Sequence, residues 1–467
     1  MIKQTENMNI TGITDENERR LAAECLDFAI REGADKARIT LDKSLLNKFA
    51  TLNGTLDRVS QCLDRTLTFC LFVNGRYGVS STNRLDENEL KDFISKAISE
   101  IKMLAPDPCR DLPSKERTEK NARTGKELGL FDEVFGTMTA GKRVKAALEA
   151  SGYAHRKEEE KNRKDIPSIL ISEEGEYSDS VSDTYIIDSD GLECRHMETS
   201  FEYGVEITLQ GPQGDKSGGF WWTASPWLKD FDASGCFEEA LGRASAKLNP
   251  QFINGGKMNM VVGTEVASKM VTPILNALNG FSIQQENSFL KDSLDKKIFS
   301  ERMNIEDMGR TAGTAGAKLF DSEGVATVNA PIIKNGMVKK YAVNTYIANK
   351  TGLKPTIESF TRIKVLPFAE NGSRELTQKD IISLCSEGIL VTGFNGGNYN
   401  PATGDFSYGI EGFGFKGGKI TCPVSGMVIT GNFITLWNNL IACGSDSRIC
   451  SSDRIPTLAF SDVDFSS

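Results

Sequence analysis

The chain has 467 residues, more than one hydrophobic core usually organises, and its 39% apolar and 25% charged residues exclude disordered and fibrous classes. A formal net charge of -9 works against the broad basic face needed to neutralise nucleic-acid phosphates, so nucleic acid is not expected as a direct partner. The first twenty residues hold no apolar stretch of signal-peptide length, and no later run reaches about 18 apolar residues, so a cytoplasmic protein without a membrane span is expected.

Residues 15–31 predict a helix, with Asp15 capping, Glu18 three residues on, Leu21, Cys25, Phe28 and Ala29 on one face, and Gly33 as the stop. Ala37, Ile39 and Leu41 then alternate as in a strand. Asn53-Gly54 and Asn74-Gly75 suit the positive φ angles of tight antiparallel hairpins. Residues 90–104 return to helical spacing, and 131–151 predict another helix running into the charged stretch 155–164, read as a solvated helix end or loop. Strands are expected over 185–209, turning near 188–191, and over 216–224. A helix over 232–248 and the turn-like Asn249-Pro250 and Asn254-Gly255-Gly256 put a domain boundary nearby.

The second region opens with a strand at 258–262 and a helix over 264–278 that is interrupted or started at Pro273. Strand and turn are expected almost throughout after it, with a third hairpin at Asn335-Gly336 and dense glycine from 388 to 431. The expected fold class is α+β. An N-terminal α/β two-layer domain, 1–240, precedes a mainly antiparallel β domain, 241–467, built as a curved sheet or partly closed barrel.

Ten cysteines stand singly with no Cys-x-x-Cys pair and are expected to be mostly reduced and buried. The only histidines are His155 and His196, which restricts metal binding and general-base chemistry. Gly412-Phe413-Gly414-Phe415-Lys416-Gly417 satisfies Gly-x-Gly-x-x-Gly, but strand-like residues and Pro423 follow instead of a helix, so a hairpin is expected there. Thr403-Gly404-Asp405-Phe406-Ser407 reads as an ordered turn. Asp321 and Glu323 could bind a cation, but such a pair without further ligands is more often a solvated turn.

These residues carry a resemblance. Gly33-Ala34-Asp35, Asn53-Gly54 before Asp57-Arg58, Val73 to Gly78 and Ser81-Thr82-Asn83 resemble the N-terminal domain of the TldD/PmbA family. More specifically, Ser288-Phe289-Leu290, Phe320 to Gly324, Ile333 to Gly336, Thr403 to Ser407 and Gly431-Asn432 follow the family's order. Residues 107–180 contribute little.

That family, once called modulators of DNA gyrase, forms a two-subunit protease acting on peptides, including microcin precursors and an antitoxin. One subunit, TldD, carries the zinc motif His-Glu-x-x-x-His on a helix; the other, PmbA or TldE, lacks it. Here the corresponding stretch, EVASKMVTPILNALNG at 265–280, holds no histidine. The resemblance therefore implies a PmbA-like, non-catalytic subunit with no cofactor of its own. Its expected partners are peptides and a zinc-bearing TldD-like paralogue, or a second copy in a homodimer. Thr403, Gly404, Asp405, Phe406, Ser407, Gly431 and Asn432 are candidates for the peptide cleft or a structural turn, as are the glycine-rich turns at 393–418. Cys450 matches a stretch where the catalytic subunit uses a cysteine and is read as structural or incidental. The alternatives are a metallopeptidase using Cys450 and carboxylates, a Cys-His enzyme, and a gyrase-binding regulator.

Overall fold

A computed structural model describes residues 12–162, 168–368 and 375–466. Most of the stretch read above for a leader lies outside them, as do the last two residues of the charged run.

Helix α1 (Glu16–Arg31) starts where expected. Asp15 Oδ1 accepts from the Glu18 amide at 2.8 Å and Glu18 Oε2 accepts from the Asp15 amide at 2.9 Å, a reciprocal capping box. Three long strands follow: β1 (Lys36–Leu52), β2 (Thr55–Val73) and β3 (Arg76–Thr82). Asn53, Gly54, Asn74 and Gly75 all have positive φ, which gives both tight turns their hairpin twist. Helix α2 (Glu87–Ile101) comes next. The single helix expected over 131–151 is two pieces: a short 3-10 turn at Glu133–Thr137 and α3 (Ala140–Glu149), which Thr139 caps afresh by accepting from the Lys142 amide. The charged run forms α4 (Tyr153–Asn162), in which no residue is buried.

Strands β4 (Ile169–Asp188), β5 (Glu193–Gln210) and β6 (Lys216–Ser225) complete a six-stranded antiparallel sheet of order β3-β2-β1-β4-β5-β6. Helix α5 (Cys236–Ala246) crosses residue 240 and packs on β5 and β6. One sheet face is covered by helices. Ile39, Leu41, Phe69 and Leu71 pack under α1 and α2, while Phe49, Tyr177, Val205 and Ile207 pack near α3 and α5. Between these clusters the same face carries two buried carboxylates. Asp179 accepts from Arg143 Nε at 2.6 Å, Asn47 Nδ2 at 2.8 Å and the Tyr177 hydroxyl at 3.0 Å. Asp183 accepts from Arg195 Nε at 2.9 Å and from both the amide and hydroxyl of Thr14 at 2.8 Å.

The second domain contains β7 (Gly256–Val262), α6 (Ser268–Ala277), α7 (Gly280–Gln284), β8 (Ile305–Met308), β9 (Asn329–Lys334), β10 (Met337–Val338), α8 (Thr345–Thr351) and β11 (Ile363–Val365). Then come α9 (Gln378–Cys385), β12 (Glu387–Tyr399), β13 (Asp405–Lys416), β14 (Lys419–Asn432), α10 (Phe433–Asn438), β15 (Leu440–Cys443) and β16 (Leu458–Ser466). Its main sheet runs β14-β13-β12-β7-β16-β15, and a further β14–β16 pairing bends five of these strands into a partly closed barrel. All pairs are antiparallel except β7 with β12. The fold is α+β, as expected. The expectation of strand and turn after residue 278 missed α7, α8, α9 and α10, each of 8 residues or fewer and started by an Asn or Thr side-chain cap. Pro273 lies inside α6 and does not begin it. The barrel is filled by the fully buried Trp437, whose Nε1 donates to the Met270 carbonyl at 3.1 Å, with Phe460 edge-on at 5.3 Å.

The domains meet through the stretch 105–131, which leaves the first sheet and docks on the second domain. The Glu119 amide donates to the Gly324 carbonyl at 2.9 Å, and the Ala326 amide donates to the Arg117 carbonyl at 3.0 Å. Buried Glu119 also pairs with Arg310 at 2.5 Å. Ala122, Leu128, Ile186, Cys194, Leu319 and Phe320 form one apolar cluster drawn from both sides. Removing one member of a buried pair strands the other charge, so Arg310→Ala should lower stability by about 3 to 5 kcal/mol, and Glu119→Gln combined with Arg310→Met should recover most of it, measured by urea unfolding.

Candidate functional site

Strand alternation decides what the uncovered face of the first sheet presents. Along β4, Tyr177, Asp179, Val181, Asp183 and Tyr185 point to the helices, so Glu174, Glu176, Ser178, Ser180, Ser182 and Thr184 line the opposite face. The neighbours in register are Thr40 to Leu52 of β1 and His196 to Glu206 of β5. This face is half-exposed and polar, and the second domain roofs part of it.

Three adjoining cavities run along it. The first, about 770 Å³, is lined by Asp57, Glu174, Glu176, Glu202 and Glu206 against one cation, Arg58, with Phe220 and Trp222 beside them. Glu202 and Trp222 also line the second, about 420 Å³, which the second domain closes with Ala315, Gly316, Lys318, Cys450 and Ser452. Ser182, Glu198 and Lys318 continue into the third, about 700 Å³, where Arg38, His196, Phe320, Asp321 and Glu358 take part. The shared residues make one groove along the domain junction. Gly316 has φ +81°, and a Cβ there would stand 2.6 Å from that of Ser452, so this glycine lets the 450–452 loop close over the groove. Arg448 fixes the same loop to the first domain: its guanidinium sits 3.8 Å from the Trp221 ring centroid and donates to the Trp222 carbonyl.

His196 is 8% exposed, its ring meets Phe320 edge-on, and neither ring nitrogen has a hydrogen-bond partner. Its Nε2 stands 3.8 Å from Glu198 Oε2. Burial pushes the Glu198 carboxyl up, yet the neighbouring His196 ring and Lys318 outweigh it and leave Glu198 below the usual carboxylate range. Asp321 behaves oppositely: burial raises it to about 6, assisted by Glu323 and Glu358 and only partly offset by the Glu358 and Val325 amides.

The sequence reading of Asp321 and Glu323 as a solvated turn is corrected. Asp321 accepts from the amides of Glu323, Val325 and Glu358, and buried Glu323 accepts from the amide and hydroxyl of Thr345. Both acids shape the groove wall. The seven turn candidates do converge in one place. Thr403 donates to Asp405 at 2.7 Å, Asn432 Nδ2 donates to the Thr403 carbonyl and Asp405 at 2.8 and 2.9 Å, and Gly431 packs on the Phe406 ring. Ser407 follows on β13, and Gly404, at φ +80°, lies under the Phe289 ring. None of the seven lines the three cavities. The Gly-x-Gly-x-x-Gly run is a hairpin, as expected: β13 and β14 turn through Gly417 and Gly418, both at positive φ.

Cys450 is a free, partly exposed thiol on the middle cavity, whereas His196 lines the third, and none of the three cavities is lined by both. Helix α6 contains no His, Cys, Asp or Glu, and Met270, Val271, Ile274 and Ala277 on it are buried in the barrel core. Among the described residues no three His, Cys, Asp or Glu side chains group so as to hold a metal ion. These donors do not fit a three-ligand zinc site. Among the described residues no helix is long and apolar enough to cross a membrane. The groove residues Arg38, Glu198, Trp222 and Lys318 are not singled out as site residues by the sequence, since they lie far apart in the chain and meet only through domain docking.

Comparison with known proteins agrees with this architecture. Residues 135–248 match the model of the PmbA/TldA metallopeptidase central domain, and residues 255–467 match that of the C-terminal domain. The chain is 25% identical to Metalloprotease PmbA of Escherichia coli O157:H7 over 95% of this chain and 96% of the relative. A solved structure from Bacteroides thetaiotaomicron, named as a candidate modulator of DNA gyrase, is 36% identical, with a TM-score of 0.89 over 97% of this chain and 99% of that one. TldE of Thermococcus kodakarensis, 19% identical, shares the fold at a TM-score of 0.77, covering 96% of this chain and 100% of that one. The fold is thus shared with the metallopeptidase-related proteins of this group. The chain belongs to the PmbA/TldD family.

The raised Asp321 sets a sign for pH dependence. A carboxyl whose pKa is higher when folded contributes stability below its unfolded value of 3.8 and loses it as pH rises through about 6. That shift corresponds to on the order of 3 kcal/mol between pH 3 and pH 7. Unfolding titrations should show this fall, and Asp321→Asn should remove it from the pH slope.

Proposed function

We propose that this chain is the PmbA/TldE-type partner subunit of a two-subunit peptidase, holding an extended peptide in the interdomain groove while a zinc-bearing, TldD-like paralogue activates water. The observation carrying this reading is α6, whose sequence and apolar packing leave no donors where the family's catalytic subunit places its metal. Peptide-bond hydrolysis through a metal-bound water needs those ligands. What this chain supplies is the polar sheet face: Ser178, Ser180, Ser182 and Thr184 offer hydroxyls along the floor, and Trp222 offers a ring against which a side chain can lie. Main-chain groups of many sequences can use such a floor. The turn built on Thr403, Asp405 and Asn432 then braces the second domain, without contacting the peptide.

The partner reading is tested by co-expression with a His-Glu-x-x-x-His paralogue from the same source. The two should co-purify, and cleavage of an unstructured peptide should fall to near background without this chain; undiminished cleavage would refute the reading. Cys450 reports on the groove separately. Its alkylation by a maleimide should slow several-fold in saturating peptide, and an unchanged rate would remove the peptide from the middle cavity.

A further inference from the structure

Behind the groove lies a fourth cavity, about 390 Å³, whose charge is of one sign. Arg362, Lys364 and Arg454 line it, and no acidic residue stands among its lining groups, in a chain of net charge -9. The backbone puts the three cations on one side. Arg362 and Lys364 are two residues apart at β11 and share a face, and the 454 segment runs parallel to that strand with Arg454 bridged to Lys364. The Arg454 amide donates to the Ile363 carbonyl at 2.7 Å, and the Val365 amide donates to the Arg454 carbonyl at 3.1 Å.

Arg362 is only 4% exposed. Its Nε donates to the Ala315 carbonyl at 3.0 Å, while Nη1 and Nη2 have no acceptor among the described residues. A buried guanidinium with idle donors is costly unless a ligand accepts from them. Arg454 Nη1 donates to the Arg448 carbonyl at 2.7 Å, again a neutral group. Two nearby carboxylates leave the cluster positive. Asp453 accepts from the Ile363 amide at 2.9 Å, Glu306 stands opposite Lys364 in register, and neither lines the cavity. Among the described residues none of the three cations is in an ion pair. Burial holds both guanidiniums below their ordinary range, and Arg454 lowers Arg362 further.

The hydroxyls narrow the ligand. Thr311, Thr314 and Ser445 donate to main-chain carbonyls, so the donors left over are the cations and Ser447. A carboxylate brings one charge and two oxygens, whereas a phosphoryl group brings nearly two charges and three oxygens and matches three cations better. The space exceeds a bare phosphate, and Met308, Val365, Pro367 and Pro456 give it an apolar wall for an organic part. We infer that this cavity binds the phosphoryl group of a small phosphate ester, gripped by Arg362, Lys364 and Arg454. Thr314 leads into Ala315 and Gly316 of the middle groove cavity, and Arg454 follows Cys450 and Ser452, so a ligand here braces the loop that closes the groove.

The test titrates the full chain alone by calorimetry with phenyl phosphate, inorganic phosphate and, at matched ionic strength, acetate. One saturable site per chain is expected, tightest for the ester and weakest for acetate. Lys364→Gln or Arg454→Gln should each raise the dissociation constant on the order of tenfold. Lys96→Gln, which removes an equal charge from the exposed face of α2, should leave it unchanged. Arg362→Lys keeps the charge, loses the fork and should weaken binding several-fold; should it misfold, the two half-buried positions decide. Alkylation of Cys450, followed by mass spectrometry, should slow in saturating phenyl phosphate. No saturable binding, acetate or inorganic phosphate binding as tightly as the ester, an equal loss in Lys96→Gln, or an unchanged Cys450 rate would overturn the inference. Neither peptide nor paralogue enters the experiment, so this site and the partner-subunit reading fail separately.

Discussion

The groove depends on how residues 105–131 are held between the first sheet and the 310–326 segment of the second domain. A mobile connection would let the polar sheet face open to water and move Cys450 and Lys318 away from Glu198 and Trp222. The Glu119–Arg310 pair fixes that connection by charge, and Ile186, Leu319 and Phe320 fix it by burial. The charged pair alone is weak evidence for net stability, since desolvation opposes it. Its contribution is directional: the apolar cluster draws the domains together, and the pair selects the register in which they meet.

A second constraint acts inside the first sheet. Asp179 and Asp183 occupy positions that strand alternation assigns to the apolar side, each with several donors fixed in place. Sliding β4 by one residue would expose Tyr177 and Tyr185 and orphan both carboxylates, so the register that buries them also faces Ser178, Ser180 and Ser182 to the groove. The chemistry available in the groove is therefore set partly by polar groups that never reach it.

Sequence reasoning recovered what local chemistry dictates. The Asp15 capping box, three Asn-Gly hairpins and the stripe of α2 are decided by neighbours within a few residues, and the structure has each of them. β4 before Tyr185 is not legible in the sequence, because its buried positions include Asp179 and Asp183 and its outward ones are Ser and Glu, so hydropathy shows no alternation although the backbone does. The short helices α7 to α10 escaped because a helix of two turns or fewer leaves too few residues for a period to emerge. The groove was illegible for a different reason: its members come from residues 38 to 452 and meet only through domain docking. Family resemblance, not periodicity, is what singles out α6, which carries no His, Cys, Asp or Glu.

Closing the second-domain barrel has an effect on assembly that differs from its effect on packing. With β14 joined to β16, five strands of that domain share their ladders with neighbours on both sides, and only short β15 ends the sheet. In the first sheet the Trp222 carbonyl of β6 is taken by Arg448. The long border left without a strand partner is residues 55–66 of β2, beyond the end of β3. An unpaired run of that length is a template for strand addition, and the exposed charges Asp57, Arg58 and Asp64 along it oppose indiscriminate pairing between chains.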